Sequence, residues 1–422
     1  ANLPVLEPAI PQECYDMSYY AFDLSEGLGL PVILRTTTRV SHTVGVVDHE
    51  DMEILGGEAL VKKEFERDPD LVMLPANARK RRLRLLKQME KAEDLANRSE
   101  FNYSYEIGKG SIGIVSSGHP STYIREVLEE LGIGGKMLKL GFTHPFPGEA
   151  LKGFMTGLEK LLVVEELEPY IETMAKKIAH EEGIDIDIVG KDLIPRYYEV
   201  GPDQVLGAIS EFVGIVKDPD PSPPVQLPTR APVLCPGCGH RAVYYAVRRV
   251  FPKAKTIFTN DIGCYTLGFG EPYRTADTSL CMGSSIGMAC GFSSFTDERV
   301  IAFIGDSTFF HSGIAERLRT DHNSHPFITI VLDNSTTAMT GHQPHPGMNL
   351  DERGDPAPAV SIKEVAKGCG IGMVREVDAS DLRATIDVLK EARGFRGPAL
   401  IVAKYPCIPL QRREGEKKRY EV

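Results

Sequence analysis

No apolar run in these 422 residues approaches the roughly 20 needed to cross a bilayer. The N-terminus also lacks the basic-then-apolar stretch of a secretion signal. Both absences argue against a membrane and for the cytoplasm. Positive charge is in deficit: 48 Lys and Arg against 59 Asp and Glu leave a net charge of -11, which argues against nucleic acid or an anionic membrane as the main partner. Cysteine is sparse, eight residues without a regular framework, so a disulfide-stapled secreted fold is excluded. Reduced thiols, metal ligands and small buried hydrophobes remain. An initiator Met is missing: the chain opens ANLPVLEP, in what reads as the interior of a domain.

What is present suits an ordinary folded chain, 42% hydrophobic and 25% charged, long enough for about two or three domains. Pro11 to Gly27 is amphipathic, with Tyr15, Tyr19, Phe22 and Leu24 at helical intervals, and Leu30 to Leu34 reads as a buried strand. This helix-strand unit is too small to fold alone. Residues 49–109 are charged and poor in β-prone residues. The basic run Arg79 to Lys87 could meet a polyanion, but Leu83, Leu85, Leu86 and Met89 favour an amphipathic connecting helix. From Ser111 short apolar runs alternate with helical patterns up to about Val216, the rhythm of an α/β domain. Glu165, Glu166 and Glu168 end one of its strands and read as a solvated edge or a subunit contact. A Pro-rich stretch, DPDPSPPVQLP, then marks a stiff hinge, and from Pro232 to Leu410 the alternation resumes as a parallel, doubly wound sheet.

The later half is organised around residues 301–347. Arg299 to Ile304 is an apolar strand that stops at Gly305-Asp306-Ser307, and Phe327 to Leu332 is a second that stops at Asp333-Asn334. Both loops then lie at the carboxyl ends of neighbouring parallel strands, where open α/β sheets bind ligands. Asp306 offers a carboxylate, Asn334 a side-chain carbonyl and Thr336 a backbone carbonyl. Mg²⁺, which wants six hard oxygens, could take the rest from phosphate and water. A helix starting near His311-Ser312 would aim its free N–H groups at the same phosphates. The plainer reading is an ordinary βαβ unit with a glycine turn and a capping Asp.

A Gly-Asp loop followed by an Asn at the end of the next strand is also the signature of thiamine diphosphate enzymes. The words GDSTFFHSGI, LDNSTTAMTGHQPHPG, DIGCYTLG and CMGSSIGMACG resemble the thiamine-binding half of the large subunit of indolepyruvate ferredoxin oxidoreductases, within the 2-oxoacid:ferredoxin oxidoreductases. The loop reads Gly-Asp-Ser where most thiamine enzymes have Gly-Asp-Gly, and Asp-Asn where many have Asn-Asn. The resemblance implies an α/β fold of several doubly wound parallel-sheet domains of thiamine-diphosphate-binding, transketolase-like type. Residues 1–48 resemble the end of a pyrimidine-binding domain, 110–216 a transketolase C-terminal-like domain and 232–410 the diphosphate-binding domain. Residues 49–109 form a helical linker, 217–231 a Pro-rich linker and 411–422 a tail. The resemblance places the cofactor-activating glutamate of such enzymes in the part of the pyrimidine-binding domain that would precede Ala1, so the role is assigned to no residue here.

It implies thiamine diphosphate held by Met282, Gly283, Ser284, Gly305, Asp306, Ser307, Thr308, Asn334, Thr336 and Thr340, with Mg²⁺ on Asp306, Asn334 and Thr336. By ligand count alone, Cys235-Pro-Gly-Cys238 with Cys264 and Cys407 suits zinc or a [4Fe–4S] cluster equally; the resemblance selects the cluster. Cys14, Cys281, Cys290 and Cys369 read as small buried hydrophobes. His311 and His342 flank the cofactor loops as catalytic candidates for proton transfer, with His345 beside them. A zinc pair from His342 and His345 is disfavoured by Pro344 and Pro346, which oppose a helix there. Met339 stands where pyruvate-type relatives carry Asn, which suits an aromatic substrate.

The implied reaction is oxidative decarboxylation of an arylpyruvate with coenzyme A, giving aryl-acetyl-CoA, CO₂ and reduced ferredoxin. The implied partners are ferredoxin, a smaller beta subunit with a gamma-type domain, and a chain or segment that completes the pyrimidine-binding domain. Two rivals stay open: a non-oxidative thiamine-dependent 2-oxoacid decarboxylase, which needs no cluster, and a non-catalytic assembly subunit, which would not bind the cofactor.

Overall fold

The computed structural model describes residues 2–49, 67–108, 110, 112–215, 228 and 230–413. Most of the expected linker 217–231 and of the tail 411–422 lies outside these. The chain divides into two units, Ala1–Pro224 and Val225–Val422.

The first unit begins with β1 (Val5–Leu6), α1 (Pro11–Leu28), β2 (Ile33–Leu34) and α2 (Thr38–His42). Helix α1 starts on a proline and ends at Gly29 in the left-handed conformation that glycine adopts without strain. Its buried residues are Glu13, Met17, Leu24 and Leu28, whereas Phe22 and Tyr19 face outwards, so the aromatic face expected to be covered is not. The expected buried strand Leu30 to Leu34 shrinks to two residues at the edge of a three-stranded sheet whose central strand is β1, and Ile33 is exposed there.

A single 3₁₀ turn (Pro69–Leu71) and α3 (Pro75–Asn97) follow. Only Ala92 and Ala96 of α3 are buried, so its leucines stay largely in solvent. The residues expected to be wholly helical also contain a strand, β3 (Tyr103–Ile107), which closes the edge of the main sheet.

The main sheet is ordered β3-β5-β4-β7-β8 from β4 (Ile112–Ser117), β5 (Gly135–Leu140), β7 (Lys160–Val164) and β8 (Asp187–Val189), with β6 (Phe142–His144) pairing back to β1. All its pairs are parallel except β3 with β5. Helices α4 (Ser121–Leu131) and α7 (Pro202–Val213) cover one face, α5 (Gly148–Met155) and α6 (Tyr170–Glu182) the other. The N-terminal segment joins through a third cluster in which Leu6, Met17, Leu24 and Leu28 pack with Ala92, Ala96, Phe101 and Phe142. A segment too short to bury its own apolar side thus borrows α3 and β6.

The second unit holds α8 (Gly239–Val250), β9 (Thr256–Asn260), β10 (Thr278–Ser279), α9 (Ser284–Phe295) and β11 (Arg299–Gly305). A helix starts at once as α10 (Asp306–Thr308), passes through a π-helical turn (Phe309–Gly313) and continues as α11 (Ile314–His322). It therefore begins at Asp306 itself, earlier than the His311 start expected. Then come β12 (Ile328–Asp333), α12 (Ile362–Gly368), β13 (Met373–Asp378), α13 (Leu382–Gly394), β14 (Ala399–Lys404) and α14 (Ile408–Arg413).

The six strands run parallel in the order β10-β9-β11-β12-β14-β13. Alternation sends Ile301 and Phe303 with Ile328 and Ile330 into the layer under α8 and α13, and Val300, Ala302 and Ile304 with Val331 into the opposite layer. A sheet covered on both faces needs such near-continuous apolar strands. Arg299 to Ile304 and Phe327 to Leu332 show that pattern, and MVREVD at the β13 edge does not.

Candidate functional site

Four parallel strands of the second unit deliver their carboxyl ends to one edge. Asp261 follows β9, Asp306 follows β11, Asp333 ends β12 and Cys407 lies three residues past β14. The tips of β11 and β12 are directly joined: Asp306 Oδ2 accepts the Asn334 N–H at 3.0 Å and Oδ1 accepts the Ser307 N–H at 2.8 Å. Thr337 Oγ1 donates to Ser307 Oγ at 2.9 Å. Asn334 Oδ1 takes the Thr336 N–H at 3.3 Å, shaping the turn that Ser335 enters with φ +58. The chain after β14 is bonded to the same loop, Cys407 N–H to the Asn334 carbonyl at 3.0 Å and Tyr405 N–H to that of Asp333 at 2.9 Å.

A cavity of about 100 Å³ opens on these tips. Gly305, Asp306, Ser307, Thr308, Asn334, Thr336, Thr340 and Met282 line it, as do Cys264, His240 and Tyr265. Ile262, Met282, Leu332, Ala338 and Met339 add an apolar wall. The other expected residues fall outside the lining. Gly283 precedes α9 and packs on the π-helical turn, where an added Cβ would meet Ser312 Oγ at 2.2 Å. Ser284 bonds back to the Cys281 carbonyl at 2.8 Å. His311 is exposed, and His342 sits in the left-handed region with φ +70.

His345, by contrast, is buried with Nε2 3.1 Å from Asp306 Oδ2. Its Nδ1 lies 3.1 Å from the Gly347 N–H and accepts from it. His342, in a left-handed turn, and His345, against Asp306, thus have separate surroundings.

Electrostatics mark the same spot. Burial, and then the charge of Asp306, push the Asp333 carboxyl up to about 6, with Lys404 opposing. Two neighbouring carboxylates disfavour each other's charge, a condition that a divalent ion relieves. Thr336 Oγ1 is buried with no partner among the described residues. A hard-oxygen set of Asp306, Asp333, Asn334 and Thr336 therefore suits Mg²⁺ and a diphosphate. Burial lowers His240 to about 4, so its imidazole is neutral across the physiological range.

The four expected cysteines influence one another electrostatically near this edge. Burial raises the Cys238 thiol to about 11, and Cys235, Cys264 and Cys407 each add a like-charge contribution. Burial and then Cys407 and Cys235 likewise raise Cys264. The thiols are in one another's electrostatic reach, and their number and softness suit an iron–sulfur cluster. Among the described residues, however, no three His, Cys, Asp or Glu side chains are close enough to hold a metal ion.

His240 and Tyr265 went unassigned in the sequence, although His240 follows Cys238-Gly239 directly. Tyr265 lies over the tip of β11, its hydroxyl 3.3 Å from Thr308 Oγ1, and a Cβ on Gly305 would strike its ring at 2.6 Å. Asp333, the last residue of β12, carries no ligand role in the loop motif.

These strand tips, cavity and hard-oxygen loops define a thiamine-diphosphate-binding domain, and residues 261–403 match the family described as thiamine pyrophosphate enzyme, C-terminal TPP binding domain. Over 97% of its length the chain is 44% identical to the indolepyruvate oxidoreductase subunit IorA of Methanothermobacter thermautotrophicus, covering 67% of that protein. It is 39% identical to the Archaeoglobus fulgidus subunit IorA, over all of this chain and 69% of the other. The chain belongs to the IorA family of indolepyruvate oxidoreductase subunits and spans about two thirds of their length. A solved 2-oxoglutarate:ferredoxin oxidoreductase from Magnetococcus marinus is similar at 20% identity and a TM-score of 0.38, over 43% of this chain and 65% of that one. The protein is an oxidoreductase of the thiamine-dependent class. Among the described residues no helix is long and apolar enough to cross a membrane.

Proposed function

We propose that this chain is the thiamine-binding part of an enzyme that oxidatively decarboxylates an arylpyruvate of indolepyruvate type with coenzyme A, yielding aryl-acetyl-CoA, CO₂ and reduced ferredoxin. The observation that carries this reading is the bond between Asp306 and the Asn334 loop at the mouth of a cavity whose wall also contains Cys264. Thiamine diphosphate, when bound, supplies the electron sink that decarboxylation of a 2-oxoacid requires.

The chain's own residues hold and orient. Asp306, Asn334 and the Thr336 carbonyl, with Asp333 beside them, would bind Mg²⁺, while Ser307 and Thr308 would hold the diphosphate. Ile262, Met282 and Met339 offer an apolar wall to an aromatic side chain. His240 lines the cavity in neutral form and is better placed than His311 or His342 to exchange a proton with substrate. Cys235, Cys238, Cys264 and Cys407 would hold a [4Fe–4S] cluster and give electrons a way out to ferredoxin. A smaller subunit with a gamma-type domain, and a segment completing the pyrimidine-binding domain, would finish the enzyme. All eight cysteines are free, which supports a reducing cytoplasm.

Calorimetric titration with thiamine diphosphate and Mg²⁺ tests the reading. The chain should bind in a Mg²⁺-dependent manner, and Asp306→Ala should lose binding while keeping its circular dichroism. Equal affinity in Asp306→Ala would sink the assignment. Broad visible absorbance after anaerobic purification separates the oxidoreductase from a non-oxidative decarboxylase.

A further inference from the structure

The loop that follows β12 folds back on the tip of β11 and brings there a residue outside the expected cofactor set, His345. Several contacts hold its ring in place. Phe310, on the π-helical turn, stacks on it with ring centroids 5.8 Å apart and an interplanar angle of 29°. Nδ1 accepts the Gly347 N–H at 3.1 Å, and the His345 carbonyl accepts the Met348 N–H at 2.9 Å. Position 347 has no room for a side chain, because a Cβ would lie 2.8 Å from the Phe310 ring and 3.0 Å from that of His345. Pro344 has a fixed φ, and Pro346 restricts the backbone of His345 before it to extended conformations.

The His345 side chain is 4% exposed, and Nε2 lies 3.1 Å from Asp306 Oδ2. The angle there makes no hydrogen bond, so Nε2 is a buried polar atom without a hydrogen-bond partner among the described residues. Such a nitrogen costs free energy to bury, and a phenylalanine would stack on Phe310 equally well. Packing therefore accounts for the ring and not for its nitrogen.

Asp306 accounts for the nitrogen. Its carboxylate is held by two backbone donors, the Ser307 N–H on Oδ1 and the Asn334 N–H on Oδ2. Ser307 is its neighbour in the chain and moves with it, which leaves Asn334 as the anchor to the next strand. Among the described residues no Lys or Arg pairs with Asp306, and the basic side chain set against it is that of His345. A carboxylate that presents a lone pair to a cation keeps its direction through such outer contacts, and losing one costs about 10–100-fold in metal affinity.

We propose that His345 is a positioning residue for Asp306: its Nε2 edge steadies Oδ2 and so sets how much Mg²⁺ thiamine diphosphate binding requires. This rests on the reading of Asp306 as a Mg²⁺ ligand. His345 acts from behind the carboxylate, since Asp306, Ser307 and Asn334 line the cavity and His345 does not.

The test titrates Mg²⁺ into the full chain at fixed thiamine diphosphate, followed by calorimetry, with three variants that separate the two ring nitrogens. His345→Gln puts an amide near the position of Nε2, His345→Asn puts one near that of Nδ1, and His345→Phe keeps the stacked ring alone. His345→Phe and His345→Asn should raise the Mg²⁺ concentration at half-maximal binding about tenfold, and His345→Gln should restore it. Melting curves and the affinity at saturating Mg²⁺ should stay those of wild type. A role confined to holding the Gly347 turn gives the reverse order, with Asn rescuing and Gln not. The proposal falls if His345→Gln needs as much Mg²⁺ as His345→Asn, or more. Should His345→Phe fail to fold, the comparison of Gln with Asn decides by itself. A wild-type chain that binds no thiamine diphosphate at any Mg²⁺ concentration removes the Asp306 assignment as well, whereas wild-type binding indifferent to His345 removes this proposal alone.

Discussion

Asp261 illustrates what a single buried carboxylate costs. Its Oδ1 accepts the Ser285 N–H at 2.6 Å, fastening the start of α9 to the end of β9, while Oδ2 has no partner among the described residues. Burial raises its carboxyl from 3.8 to about 6, with the Ser285 bond opposing. An acid whose pKa is raised by folding holds its proton more tightly in the folded state. Its contribution favours folding fully below pH 3.8 and is lost as pH rises through about 6. The loss amounts to about 3 kcal/mol, at 1.36 kcal/mol per unit. Urea melts of wild type should show this decline over that window, and Asp261→Asn, which keeps the acceptor but not the charge, should remove it. A variant whose stability still falls identically with pH would place the titration elsewhere.

At the scale of elements, two contacts decide how pieces seat. Lys139 on β5 is fully buried and reaches Glu13 on α1 at 2.7 Å, while the same Glu13 oxygen accepts the Ala9 N–H at 2.6 Å. Removing one member strands a buried charge, so Lys139→Met should destabilise the first unit by about 3 kcal/mol, and adding Glu13→Gln should recover most of that. Chemical denaturation of the single and double variants measures it. Gly283 is the second contact, with φ +95 and no room for a Cβ beside Ser312. Gly283→Ala should cost about 1–3 kcal/mol and weaken thiamine diphosphate, since α9 and the π-helical turn would have to separate. Calorimetry alongside a thermal melt would detect both effects.

For the whole molecule, each unit has its own sheet and its own pair of apolar layers. Residues 225–422 expressed alone should therefore fold cooperatively and bind thiamine diphosphate with Mg²⁺; failure to fold would show that the second core depends on the first. Much of this architecture was legible in the sequence. Runs such as VIAFIG and ITIVLD are apolar on both strand faces, and only a strand covered on both sides tolerates that, so the parallel sheet and the tips at Asp306 and Asn334 could be read from order alone. Edge strands could not. Ile33–Leu34 is two residues long and MVREVD interrupts its apolar residues with Arg375, Glu376 and Asp378, so both look like loop until a neighbouring strand is known. Nor could proximity across the sheet. Periodicity and turn chemistry are local, so the central strands, most helices and the turns that carry oxygen or sulfur follow from chain order alone. That His345 faces Asp306, that Asp333 shares its field, that His240 enters the cavity and that Glu165 is buried comes from the folded layers, because burial and contact between distant residues depend on how those layers close.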